Sequence, residues 1–313
     1  MKTNYIFLSG MAKCGTTPLA GWLTENGIAR YLVEDIKEPH GYLIPGTQPQ
    51  LPAPAQLPWL DASSGYALSP YAISRLPEHG TRIVLCLRNP FERAWSCYRM
   101  NKINALQDSE ALALSKSYLK ASGTTTSWDG KRLPEITAST PYQEQKNLHL
   151  RMFPQVSSGY VEQHFDAEID RLRQGDFAGR LDYETAFLMT RRSFPFMSVL
   201  VASFYYAGIR SFLDRYRPED LILVSLDKLK EEANRVKFLS RLIGEAPETD
   251  DVKFGFSSRD LPFDEQKPDF DAPKFDSLRT ALSYDLQQYS ALLAARGVVT
   301  DLLDWDDLRR HLR

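Results

Sequence analysis

The sequence predicts an α/β fold, a central parallel sheet with helices on both faces. Three observations carry that expectation. The short segments Tyr5–Ser9, Arg82–Leu87 and Leu221–Ser225 are dominated by apolar residues without alternation, as strands covered on both faces are. Helical patterns follow the first two, with Leu19, Trp22 and Leu23 making one apolar face after the first. Near the C-terminus, Phe275, Leu278, Leu282, Leu286, Tyr289 and Leu293 recur at spacings of three and four, a long amphipathic helix. Strands that alternate with helices build a largely parallel sheet.

The first strand runs through Ile6-Phe7-Leu8-Ser9 into Gly10-Met11-Ala12-Lys13-Cys14-Gly15, and a helix is predicted from near Thr16. A strand, a turn with two glycines and a helix gather backbone N–H groups at a helix N-terminus, where phosphate or sulfate binds. The pattern is close to Walker A, yet that motif needs Lys directly after the second glycine, and Thr16 stands there. A kinase or ATPase using that lysine is therefore disfavoured. Lys13, inside the loop, can instead reach a bridging oxygen of a shorter anion, with Thr16 and Thr17 adding donors. A glycine turn with a helix cap and a solvated lysine would use the same residues.

Pro45, Pro49, Pro52, Pro54 and Pro58 mark an extended loop. The second strand ends in Arg88, and Pro90 suits the first turn of the next helix. On that helix Arg93 and Ser96, three apart, share a face. A cation and a hydroxyl at the C-terminal edge of a parallel sheet make a second anion site, since ligands collect there. The alternative is Glu92 and Arg93 as a solvated face with Ser96 as a packing residue. Further loops are predicted over 122–134 and 255–273.

Composition bounds the function classes. The 313 residues carry 38 Lys plus Arg against 40 Asp plus Glu, a formal net charge of −2, which argues against a generic nucleic-acid binder. The hydrophobic fraction of 43% and charged fraction of 25% are those of a folded globule. Cys14, Cys86 and Cys97 are too few for a disulfide framework, so reduced thiols in a cytoplasmic protein are expected. The apolar run Tyr5–Leu8 is too short for a secretory signal. The longest uncharged stretch, between Arg192 and Arg210, reads as a buried helix rather than a membrane span. No His/Cys/Asp cluster has metal-ligand spacing.

Taken together, Lys13-Cys14-Gly15-Thr16-Thr17 and Arg88-Asn89-Pro90 with Arg93 and Ser96 resemble the signature of sulfotransferases that use 3′-phosphoadenosine 5′-phosphosulfate (PAPS). The resemblance implies a P-loop-like nucleotide-binding sulfotransferase fold over residues 1–313. It implies that Lys13, Cys14, Gly15, Thr16 and Thr17 meet the 5′-phosphosulfate and that Arg88 and Ser96 meet the 3′-phosphate. Lys37-Glu38-Pro39-His40 is similar to a segment of the heparan-type, carbohydrate-modifying branch, where the glutamate is the proposed general base. Glu38 is the preferred base and His40 the alternative. Lys37 either orients the sulfuryl group or is solvated. The segment Asp61-Ala62-Ser63-Ser64-Gly65-Tyr66 stands where that branch has an acidic-Lys-Ser/Thr-Pro-x-Tyr motif, but Ala62 replaces the lysine and Ser64 the proline.

Sulfuryl transfer to a hydroxyl needs a base for the hydroxyl proton and positive charge for the departing phosphate oxygen. It demands no divalent metal. The implied donor is PAPS, its product 3′,5′-ADP, and the implied acceptor a hydroxyl on a carbohydrate or glycoconjugate. The alternatives are a small-molecule or lipid acceptor, or a nucleotide-binding protein without transfer activity. Residues 101–195 read as a helical, acceptor-binding elaboration. Arg191-Arg192 is a weaker candidate for an anionic acceptor. Lys267 is the best-placed cation for a lid over the nucleotide, and Trp22 or Phe91 for stacking on adenine.

Overall fold

The computed structural model describes residues 2–191, 196–245, 247–249 and 263–312. Five strands form one parallel sheet: β1 (Tyr5–Gly10), β2 (Arg30–Tyr31), β3 (Trp59–Asp61), β4 (Thr81–Cys86) and β5 (Leu221–Val224). The order is β2-β3-β1-β4-β5. The three apolar segments of the sequence are β1, β4 and β5, the strands with the longest uninterrupted burial. Every residue of β1 and β5 is buried, which a sheet covered on both faces requires. Leu8 pairs with Val84 and Gly10 with Leu85, so the register breaks where β1 opens into its loop.

The helices are α1 (Thr16–Glu25), α2 (Pro70–Ile73), α3 (Pro90–Leu106), α4 (Ser109–Ala121), α5 (Thr140–Met152), α6 (Ser158–Gln174), α7 (Phe177–Arg191), α8 (Tyr206–Leu213), α9 (Glu232–Ile243), α10 (Asp276–Ala295) and α11 (Trp305–Arg309). They flank the sheet. Trp22 of α1 meets Phe238 of α9, and Phe91 of α3 stacks on Phe270 with 5.1 Å between centroids. Both rings are core residues, not candidates for stacking on a base. Residues 101–191 are built mainly from the end of α3 and from α4 to α7.

From β1 the chain goes to β3 and β2 on one side, then crosses to β4 and β5 on the other. Ligands of open parallel sheets sit at such a reversal, beyond the strands' C-terminal ends. The loops after β1 and β4 both lie there. Among the described residues, no helix is long and apolar enough to cross a membrane.

Candidate active site

The loop after β1 turns at Lys13 (φ +69°) and Gly15 (φ +94°). A Cβ on Gly15 would come within 2.3 Å of Leu226 Cδ2, so backbone conformation and space both demand glycine. Gly15 is the N-cap of α1 and supplies no side-chain cap, which leaves the first turn of a ten-residue helix to another acceptor. The Lys13 ammonium lies 3.4 Å from Met100 Sδ on α3. Burial lowers its pKa; the positive charges of Arg88, Lys37 and Arg93 act in the same direction, against Cys97. Three other cations therefore act on Lys13 at this loop. The Cys14 thiol turns into the core, 3.8 Å from the Tyr205 hydroxyl, and its N–H donates to Met11 O at 3.1 Å. Burial pushes that thiol's pKa up.

After β4, Asn89 caps α3 through Oδ1, which accepts from Phe91 N and Glu92 N. Arg88 Nη2 lies 3.5 Å from Glu92 Oε2, and Lys267 pairs with Glu92 Oε1. The two cations assigned to the nucleotide thus meet on one carboxylate. Ser96 is half-buried one turn further along α3.

Arg93 departs from both sequence expectations, solvated face and anion ligand. It is 0% exposed and holds the fold together: Nε donates to Ser203 Oγ (2.8 Å), Nη1 to Ala12 O in the loop after β1 (3.3 Å) and Nη2 to Val199 O. Of the predicted lid, residues 255–262 lie outside the described residues, as do Arg192 and the Arg191 side chain.

The Lys37-Glu38-Pro39-His40 segment follows β2. Lys37 is buried rather than solvated; Nζ donates to Glu38 Oε1, to Tyr118 OH (3.2 Å) and to Ala62 O (3.5 Å). Glu38 is 19% exposed, and its Oε2 lies 3.5 Å from His40 Nε2. Burial pushes the Glu38 pKa up, but Lys37, His40 and Tyr118 outweigh it and hold the carboxyl below its ordinary range. Burial lowers the pKa of His40, with Glu38 opposing, so a neutral imidazole faces the carboxylate. His40 Nδ1 is buried and meets no hydrogen-bond partner among the described residues.

The segment that departs from the resembled motif at Ala62 and Ser64 is held by its other residues. Asp61, Ser63 and Tyr66 form a buried unit: Asp61 accepts from Ser63 N (3.0 Å) and Tyr66 OH (2.7 Å), and Ser63 Oγ accepts from His40 N (3.0 Å). This segment supports the backbone that presents His40.

No family model matches the sequence, and no curated protein matches it. Among solved structures, a sulfotransferase from Alicyclobacillus acidocaldarius superposes with a TM-score of 0.50 at 14% identity, covering 94% of this chain and 97% of that one. The chain has a sulfotransferase-like fold.

Within this sulfotransferase-like fold, sequence reasoning missed Tyr118, which touches Glu38, and Glu144 and Trp128, which neighbour Tyr118 and His40. Tyr118 of α4 donates to Glu38 Oε1 at 2.8 Å. Glu144 of α5 sits nearby; burial pushes its pKa up to about 8, with Asp129 adding to the rise and a Ser127 hydrogen bond opposing it. Trp128 lies edge-on to His40 at 6.0 Å between centroids, with Arg151 5.7 Å over its ring. Each comes from residues 101–195, and the only advance signal was that this stretch reads as an acceptor-binding elaboration. Among the described residues, no group of three or more His, Cys, Asp or Glu is placed to hold a metal.

Proposed function

We propose that the protein transfers the sulfuryl group of PAPS to an acceptor hydroxyl, preferably on a carbohydrate or glycoconjugate. The supporting observation is the convergence of Lys13, Lys37 and Arg88 with an ionised Glu38 at the loop edge of a sulfotransferase-like sheet. The uncapped start of α1, with Gly15, Thr16 and Thr17, suits the 5′-phosphosulfate. Arg88, Ser96 and Lys267 suit the 3′-phosphate. Cys14 would take part through its position in the loop, since its thiol faces the core.

In this reading Glu38 removes the proton of the acceptor hydroxyl as its oxygen attacks sulfur. The bond from sulfur to the bridging phosphate oxygen breaks in line, and 3′,5′-ADP leaves. Lys13 neutralises the charge that grows on the departing oxygen, and Lys37 holds the carboxylate. His40 is the alternative base, and its neutral state at physiological pH leaves it able to accept a proton. Helices of residues 101–195 shape the acceptor side, and three buried thiols suit a reducing, cytoplasmic setting.

A ring-bearing small acceptor is the second reading. Trp128 beside His40, and His149 packed 5.0 Å from Phe196, favour it.

The test combines 3′,5′-ADP calorimetry with transfer from radiolabelled PAPS to glycan and phenol acceptor panels. We expect Glu38→Gln to keep 3′,5′-ADP binding and lose about 10²–10⁴-fold in rate. Lys13→Ala should lose about 10²–10³-fold. Wild-type rates in both variants would overturn the assignment; 3′,5′-ADP binding with no transfer to any acceptor would favour a non-catalytic protein.

A further inference from the structure

We infer that Tyr118 is a positioning residue that fixes which oxygen of Glu38 acts and keeps it ionised. The inference rests on Glu38 being the base. A phenol hydroxyl has one proton and two acceptor positions. Tyr118 uses its proton and one acceptor position here: it donates to Glu38 Oε1 (2.8 Å) and accepts from Lys37 Nζ (3.2 Å). One hydroxyl thus ties the Glu38 carboxylate and the Lys37 ammonium together.

The two oxygens of Glu38 become unequal. Oε1 is engaged by Lys37 and Tyr118 together. Oε2 faces His40 Nε2 at 3.5 Å, too long for a good hydrogen bond. Oε2 is therefore the oxygen with lone pairs to offer an acceptor hydroxyl. Tyr118 remains a donor because burial, with Glu38 adding to the effect, pushes its own pKa well above the ordinary phenol value. The charged and titratable groups around Glu38 are Lys37, His40, Tyr118 and, further off, Asp61 and Tyr31, with Glu144 acting on Tyr118 from α5.

The test titrates the Glu38 carboxyl directly by carbon-13 NMR in the full chain, assigned with Glu38→Gln, so it needs no acceptor. Removing the donor in Tyr118→Phe should raise the Glu38 pKa by about one unit. Replacing Tyr118 with 3-fluorotyrosine, a stronger donor of nearly the same shape, should lower it. Opposite shifts support the positioning role, because a packing role moves neither. An unchanged carboxyl in both proteins, or shifts of the same sign, would overturn it. If Tyr118→Phe does not fold, the fluorotyrosine protein decides alone. Loss of 3′,5′-ADP binding in the wild type would instead count against the donor assignment and leave this result standing.

Discussion

Asp61 is among the most sharply perturbed acids of the site region. It is nearly fully buried at the end of β3, and burial raises its pKa from 3.8 to about 6 against hydrogen bonds from Ser63 and Tyr66. The folded chain therefore holds this proton more tightly than the unfolded chain. Its contribution is complete below the unfolded value and is lost as pH rises through about 6. A shift of this size corresponds to about 3 kcal/mol. Asn is nearly isosteric; its Oδ1 can keep the Ser63 N–H, and the Tyr66 hydroxyl can turn to accept. Asp61→Asn should gain stability relative to wild type between pH 5 and 7.5, read by urea unfolding at both. An equal difference at the two pH values would show that the Asp61 carboxyl titrates normally. Lys37 and Glu38 were picked out in the sequence through the motif that Lys37-Glu38-Pro39-His40 resembles, since a Lys-Glu dipeptide alone reads as a surface ion pair. Tyr118 was not, because its partner lies 80 residues away and one hydroxyl leaves no periodic trace. Arg93 misled for a related reason: a helix-surface spacing does not reveal that Ser203 and Val199 close over it.

Among the elements, α3 shows how one polar residue joins two distant parts of the chain. Asn89 caps its N-terminus, and its amide nitrogen donates to Asp307 O (2.9 Å) and Arg310 O (2.6 Å) at α11. The side chain thus satisfies the start of one helix and carbonyls at the end of another. Loss of the cap costs about 1 kcal/mol, and each stranded carbonyl adds about 1. Asn89→Ala should lose about 2–3 kcal/mol in chemical unfolding. Asn89→Asp keeps the cap but sets a carboxylate against two carbonyls, so it should not recover that loss; full recovery would mean that the contacts with α11 contribute nothing. Pro90 made the start of α3 legible, whereas the bond to α11, more than two hundred residues away, had no local signature. The same limit hid β2 and β3. With two and three residues they are too short to show a pattern; pairing of β3 with β1, and of β2 with β3, makes them strands.

At the scale of the whole molecule, the helices of residues 101–191 are tied to the sheet through buried charge. Arg180 of α7 bonds Glu168 of α6 at 2.6 Å and Glu184 at 2.8 Å, all three buried. Glu184 also accepts from Val199 N (2.7 Å) and Leu200 N (3.0 Å). Val199 O in turn accepts from Arg93, and Arg93 reaches Ala12 O in the loop after β1. The path from α6 to that loop is therefore a continuous set of buried hydrogen bonds. Two buried carboxylates share one guanidinium, and breaking such a pair costs up to about 3–5 kcal/mol, reduced here by the donors that Glu184 keeps from Val199 N and Leu200 N and that Glu168 keeps from Tyr183. If the elaboration and the sheet form one domain, that cost falls on a single cooperative transition. Arg180→Met should lower the unfolding midpoint seen by far-ultraviolet dichroism and by 3′,5′-ADP protection by the same amount. Should the helices melt first while 3′,5′-ADP still binds, the elaboration would be an independent unit and the path through Arg93 would transmit nothing. The single-domain expectation stands or falls on that measurement, because the apolar patterns that located β1, β4 and β5 do not reveal what joins them to the helices between.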